Sequence, residues 1–209
     1  MIIIMFVTSL TTSLNDIFVN DYGTQQFGFT SHSSTACALI FLHDFITKNL
    51  DHPHVGGVQM MCYDFTRASL TRFPHALIIN RLIDCNFPCS FVSLMLSYLS
   101  NRVQHVRIGS TVSKASFVTS GVPQGSVLGP ALFSIVVATF NCLHDSNCVV
   151  KFADDFSVAC PLYLNSDNNH VLNEHNHFNQ WASSNSLFLN DSKSKGIVLN
   201  KKVKVGPTV

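Results

Sequence analysis

The apolar positions of the chain recur at a few clear spacings. Behind Ser33 or Ser34, either of which can cap a helix, Leu39, Leu42, Ile46 and Leu50 share one helical face. Gly56-Gly57 is expected to stop that helix, and VQMMCYDF (58–65) reads as a buried strand ending at Asp64. Pro74 opens a second helix, PHALIINRLIDC, and CSFVSLMLSYLSNR makes a third. VQHVRIG alternates as a strand does, with ASFVTS as its partner across a Gly109-Ser110 turn. The loop SGVPQGSVLGP (120–130) precedes an apolar helix from about Val127 to Leu143. CVVKFADDFSVAC (148–160) follows as an apolar segment with two carboxylates inside it. A helix from about Val171 to Ser186 then puts Leu172, His175, Phe178 and Trp181 or Ala182 near one face, and two short strands close the chain. With no internal repeat, this order predicts an α+β fold: an antiparallel sheet backed by helices.

Composition sharpens the picture at three points. The 209 residues suit one domain or one and a half, and 46% hydrophobic against 12% charged residues excludes a disordered chain. The net charge of +1 advertises no global basic field, although Lys193, Lys195, Lys201, Lys202 and Lys204 crowd the C-terminal end. Seven cysteines at irregular spacing read as buried free thiols, which sets the chain in a reducing, intracellular compartment. No run of 18 apolar residues occurs, and MIIIMFVTSL lacks a basic leader region, so no membrane partner is expected. His170, His175 and His177 share one polar stretch; their spacing alone would allow a metal site.

Acid is scarce: eleven Asp and one Glu, Glu174. In such a chain the adjacent pair Asp154 and Asp155 stands out, because burying two like charges side by side costs several kcal/mol unless something offsets them. Successive side chains on a strand point to opposite faces, so the pair converges only at a hairpin tip, and VVKFA–DD–FSVA has that form. A divalent cation is the simplest compensation, and hard carboxylate oxygens suit Mg²⁺. Asp64, at the end of another apolar strand, could complete a site for two cations about 4 Å apart, the geometry of in-line phosphoryl transfer. An Asp-initiated turn with no metal is the competing reading of these residues. SGVPQGSVLGP adds glycines that let a backbone approach a ligand, with Gln124 as an uncharged donor and acceptor.

SGVPQGSVLGPALF followed by KFADD resembles the palm of a reverse transcriptase of the non-LTR (LINE-like) retrotransposon type. QQFGFTSHSSTACAL resembles a finger-region segment of that family, CYDFTRA its first catalytic motif, YLSNRVQHVRIGS the approach to the second, and QWASSNSLFLNDSKSK the helix and lysine after the catalytic hairpin. The matches are collinear over about residues 24 to 200.

The resemblance implies a right-hand palm with incomplete fingers and no thumb. Residues 1–23 would be a poorly defined N-terminal segment, 24–56 a finger remnant, 57–200 mainly palm with finger elements, and 201–209 a tail where the thumb would begin. It further implies an RNA-directed DNA polymerase, a truncated copy working by two-metal nucleotidyl transfer. Asp64, Asp154 and Asp155 would hold two Mg²⁺ ions, with Mn²⁺ as a substitute, and Lys195 would stand near the triphosphate as proton donor. Phe65, Ser69, Gln124 and Gly125 would border the nucleotide. Arg102 and Arg107 would touch template phosphate. The partners implied are an RNA template, a DNA primer, deoxynucleoside triphosphates, and the missing finger and thumb segments of a longer polyprotein, in cytoplasm and nucleus.

Two departures keep a second reading open. Ser69 and Leu70 stand where the family has the Phe-Asp pair whose Phe excludes ribonucleotides, and Thr30, Ser31 and His32 replace basic finger residues. A non-catalytic remnant, or a weak nucleic-acid-binding module, is the alternative.

Overall fold

The computed structural model of the chain describes residues 25–30, 32–66, 73–123 and 125–201. In chain order its elements are α1 (Thr35–Asp51), β1 (Val55–Tyr63), α2 (His75–Asp84), α3 (Cys89–Leu99), β2 (Arg102–Gln104), β3 (Arg107–Ile108), β4 (Thr111–Val112) and β5 (Ser116–Val118). They continue as α4 (Leu128–Ala138), β6 (Cys148–Phe152), β7 (Asp155–Tyr163), α5 (Asn169–Ser184) and β8 (Lys195–Asn200). This is the expected α+β class. Two compact units form, one from the described residues of 24–65, 140–181 and 189–201, the other from those of 66–139 and 182–188.

The first unit is built on a four-stranded antiparallel sheet in the order β6-β7-β1-β8. Side-chain alternation sorts its residues onto two faces. Val58, Cys148, Val150 and Ala159 meet Ala38 and Leu42 of α1, with Phe45, Ile46, Leu50 and Met60 around them. On the other face Tyr63 and Phe156 meet Phe140, Phe178 and Trp181; the Tyr63 and Phe178 rings stack 3.8 Å apart, and Phe140 stands edge-on to Phe178 at 4.9 Å. Stacked and edge-on aromatic pairs each add about 0.5–1.5 kcal/mol beyond area burial.

Ser34 caps α1 as expected, its hydroxyl accepting from the Cys37 N–H at 3.2 Å. The buried stripe differs from the one periodicity suggested: Ala38 lies inside and Leu39 is 65% exposed. Small Ala38 lets α1 approach the sheet, and one residue further on the helix has turned by about 100°. A parallel correction applies to α5, where Val171, Glu174 and Phe178 are buried and Leu172 is exposed. Gly56 and Gly57 do not stop α1, which ends at Asp51; they belong to β1, at an irregularity in its pairing with β7. α4 ends at Ala138 and not near Leu143, because the 143–147 segment is tied to Glu174. One strand, β8, closes the chain; the second expected strand is reduced to a single bridge between Phe65 and Leu189.

The second unit is mainly helical. α4 is buried at every position but Pro130, α2 contributes Ile78 and Leu82, and α3 contributes Phe91, Met95 and Leu99. The expected hairpin forms as two short ladders, β2 with β5 and β3 with β4. The ladder breaks where the Val106 N–H donates to Ser113 Oγ at 2.9 Å in place of a strand carbonyl. The seven cysteines are thiols outside any disulfide. Among the described residues no helix is long and apolar enough to cross a membrane.

Gly28 links QFGF to the FADD turn. Phe27 N–H donates to the Lys151 carbonyl and Lys151 N–H to the Gln25 carbonyl, both at 2.8 Å. A methyl at Gly28 would overlap Ala153 N and come within 2.9 Å of the Phe152 carbonyl carbon. Both are backbone atoms, which cannot swing aside. Gly28→Ala is therefore expected to cost about 1–3 kcal/mol of stability, read as a lowered urea midpoint. An unchanged midpoint would show that the turn yields freely.

Candidate active site

The last pair of the β6–β7 ladder is Phe152 with Asp155, which leaves Ala153 and Asp154 as a two-residue turn. Ala153 has φ +56°, the left-handed sign that tight hairpin turns require at their first central position. Asp154 thus occupies the tip and Asp155 the first position of β7, so the turn lies one residue earlier than the VVKFA–DD–FSVA pattern suggests, at Ala153-Asp154. Tyr63 is the Cα partner of Phe156, so one step further along β1 Asp64 comes abreast of Asp155. Directly opposed residues share a sheet face, with Cα atoms about 4.5–5.5 Å apart. Asp64 and Asp155 therefore share the face that also carries Cys62 and Ser157, whose Sγ and Oγ lie 3.7 Å apart.

The electrostatics report the same convergence. The Asp155 carboxyl is raised above the ordinary carboxylate value, first by partial desolvation, then by Asp154, then by Asp64. The Asp64 Oδ2 atom is buried with no hydrogen-bond partner, and Lys193 Nζ stands 3.8 Å from it, too far for a hydrogen bond. The backbone holds Asp64 at both ends: its N–H donates to Ser194 Oγ at 3.2 Å, and its carbonyl accepts from the Asn190 N–H at 2.7 Å.

Lys151 is the nearest cation in sequence, yet alternation sends it to the opposite face. It is 1% exposed and its Nζ donates to the Phe140 carbonyl at 2.5 Å. Burial pulls its amine down to about 8, with Cys142 opposing. The lysine inside KFADD therefore serves the aromatic core and not the aspartates.

The other expected site residues lie in different places. Lys195 is the Cα partner of Cys62, on the aspartate side of the sheet, with Nζ donating to the Ser192 carbonyl at 2.9 Å. Lys193, which sequence reasoning passed over, is the lysine that reaches Asp64. Phe65 points the other way from Asp64; its ring is 8% exposed, 5.5 Å from Phe156 and 6.1 Å from Phe178. Its side chain is thus a core residue and not a nucleotide-facing one, as strand alternation requires. Gly125 belongs to the helical unit, exposed and with φ +73°, where any side chain would be strained. Ser69, Leu70 and Gln124 lie outside the described residues. The three histidines are engaged separately: His170 with the Pro161 carbonyl, His175 with Tyr63 Oη, and His177 with the Asn141 carbonyl.

Among the described residues no group of three or more His, Cys, Asp or Glu side chains closes around a metal position. The aspartates form an open set of hard oxygen donors, with one buried oxygen unpartnered and one carboxyl destabilised by its neighbours. That set suits a hard cation which keeps several waters.

A family model described as reverse transcriptase (RNA-dependent DNA polymerase) matches residues 4–205. A probable RNA-directed DNA polymerase from transposon X-element of Drosophila melanogaster is 31% identical over 127 residues, 58% of this chain and 14% of that protein. A probable RNA-directed DNA polymerase from transposon BS of the same fly is 41% identical over 135 residues, 64% of this chain and again 14% of the relative. The chain therefore spans about a seventh of the length of these relatives. Among solved structures, telomerase from Candida tropicalis in complex with a TWJ fragment of telomeric RNA superposes with a TM-score of 0.70. It is 14% identical, covering 92% of this chain and 33% of the telomerase, a likeness of fold alone.

Proposed function

Because the chain belongs to the reverse transcriptase family, as a partial domain of the non-LTR, LINE-like retrotransposon type, we propose that Asp64, Asp154 and Asp155 carry RNA-templated DNA synthesis dependent on a divalent metal. The observation that supports this most directly is that Asp64 ends the strand beside the hairpin turn that carries Asp154 and Asp155, with Asp155 raised by desolvation and then by both neighbours.

Divalent cations are the general requirement of such domains; Mg²⁺, with Mn²⁺ as its substitute, is the choice that all-oxygen donors favour. When bound, two such ions supply charge neutralisation of the triphosphate and a lowered pKa for the primer 3′-hydroxyl. The chain's own contribution is placement. β1 and the β6–β7 turn hold the carboxylates on rigid strand ends, and positioning of this kind accounts for much of phosphoryl-transfer catalysis. Lys195 is assigned to protonating the leaving group, and Gln124, Gly125 and Ser69 to the border of the incoming nucleotide. Residues 24–56 are assigned to the fingers and 57–200 to the palm. The partners proposed are an RNA template, a DNA primer and deoxynucleoside triphosphates, together with the finger and thumb segments of a longer chain.

Extension of oligo-dT on poly-A is the test. Incorporation of thymidylate is expected with Mg²⁺ or Mn²⁺, and its disappearance in EDTA. No incorporation under any metal condition, even with finger and thumb segments of a related element supplied, would favour the non-catalytic remnant.

A further inference from the structure

Asp64 stands one residue past the end of β1, where the regular ladder no longer holds it. The last β1–β8 pair is Cys62 with Lys195, and the next pairing along the chain is the single bridge of Phe65 with Leu189. Between those pairings one side supplies only Tyr63 and Asp64, whereas the facing chain supplies all of residues 190–194. A surplus of this kind breaks a ladder and re-aims a side chain, as bulges beside active sites do. The main-chain N–H and carbonyl of Asp64 then need partners from outside the ladder.

The surplus residues supply both. Their turn is closed on itself: the Asn190 carbonyl accepts from the Lys193 N–H at 3.0 Å and the Ser194 N–H at 2.8 Å, and Ser192 Oγ donates to Asn190 Oδ1 at 2.7 Å. At one end of the turn the Asn190 N–H donates to the Asp64 carbonyl; at the other, Ser194 Oγ accepts from the Asp64 N–H. Between them Lys193 brings its Nζ to 3.8 Å from the buried Asp64 Oδ2. Only the Ser194 bond rests on a neutral side chain, so its oxygen can be removed without changing the charge around the carboxylate.

We propose that Ser194 is a positioning residue: its hydroxyl fixes the Asp64 main chain, and through it the direction of the carboxylate toward a divalent cation. The assignment rests on the metal-dependent reading of Asp64, Asp154 and Asp155 and adds to it a residue outside the acidic set. A carboxylate already held in place loses little freedom on binding a cation. Groups that orient a metal ligand from behind are worth about 10- to 100-fold in metal affinity. The same bond ties the aspartate to the turn that bears Lys193, so the two move together.

Titration of the full chain with Mn²⁺ tests this, with the free ion followed by electron paramagnetic resonance and neither nucleotide nor nucleic acid present. Ser194→Ala is expected to bind Mn²⁺ about tenfold more weakly. Ser194→Thr keeps the hydroxyl and should match the wild type. Ser192→Ala removes a bond inside the same turn but none to Asp64, and should also match it. Amide hydrogen exchange at Asp64 reads the bond without metal: it should quicken at least about fivefold in Ser194→Ala and not in Ser194→Thr. Equal Mn²⁺ affinity in the wild type and Ser194→Ala, or an equal loss in Ser192→Ala, overturns the assignment and leaves the polymerase reading standing. Failure of Ser194→Ala to fold, read from its thermal melt, makes the hydroxyl a structural one and overturns the assignment as well. A wild type that binds Mn²⁺ no better than Asp64→Asn sinks both. The expected loss in a chain that extends no primer keeps the assignment and removes the polymerase.

Discussion

Asp155→Asn is expected to lower primer extension by about a thousandfold while raising the stability of the metal-free protein. The first half follows from the role proposed for Asp155, as one of three carboxylates that hold and orient charge in the transition state; loss of a single such group costs about two to three orders of magnitude or more. The second half follows from the raised Asp155 carboxyl, caused by desolvation, Asp154 and Asp64. A carboxyl raised on folding favours the folded state in its protonated form. That contribution is complete below the ordinary value of 3.8 and is lost as pH rises through the elevated one. At neutral pH the wild type therefore carries a repulsion that asparagine lacks.

Thermal melts in EDTA should accordingly show the variant above the wild type at pH 7 and the gap closing toward pH 4. Saturating Mg²⁺ should then raise the wild type more than the variant, because only the wild type offers the full donor set. A variant less stable than the wild type in EDTA would mean that the three carboxylates do not burden the fold. Extension within twofold of wild type would remove Asp155 from the chemistry.

Glu174→Ala should be the most damaging single change to the fold. The chain's only glutamate is fully buried and accepts from the Leu143 N–H at 3.0 Å on both oxygens and from Asn147 Nδ2 at 2.6 Å, with the His144 N–H at 3.4 Å. Alanine strands these donors inside the protein and leaves a void. Stranding the partners of a buried charge costs about 3–5 kcal/mol, on the order of 10 °C in melting temperature for a chain of this length. Glu174→Gln keeps an acceptor but turns an NH₂ toward other N–H groups, so it should fall between the two. If alanine melts within about 2 °C of wild type, water has replaced the carboxylate and the 143–147 turn stands without it.

Local features were legible because they depend on neighbours a few residues away. Ser34 caps α1 through a bond to Cys37, three residues on, and the FADD hairpin follows from alternation plus a two-residue turn. That Asp154 and Asp155 belong to a hairpin turn and the strand start beside it, and that Asp64 follows a strand, are consequences of covalent geometry and apolar runs. The motif order from QFGF through SGVPQGSV to KFADD likewise marks the family without any coordinates.

What periodicity could not supply were the partners at long range. Glu174 looks like a surface residue on a helical pattern, and only the orphan N–H groups of residues 143–147, some thirty positions away, make its burial favourable. Leu39 and Ala38 compete for one face, and the distance at which α1 can approach the sheet chooses the smaller. Strand register, not proximity in sequence, sets which amine meets a carboxylate: Lys193 reaches Asp64 and Lys151 turns to the Phe140 carbonyl. Gly28 matters through backbone atoms more than a hundred residues on. Chain stereochemistry acts within a turn or a strand, whereas burial, charge pairing and close contact belong to whichever segments folding brings together.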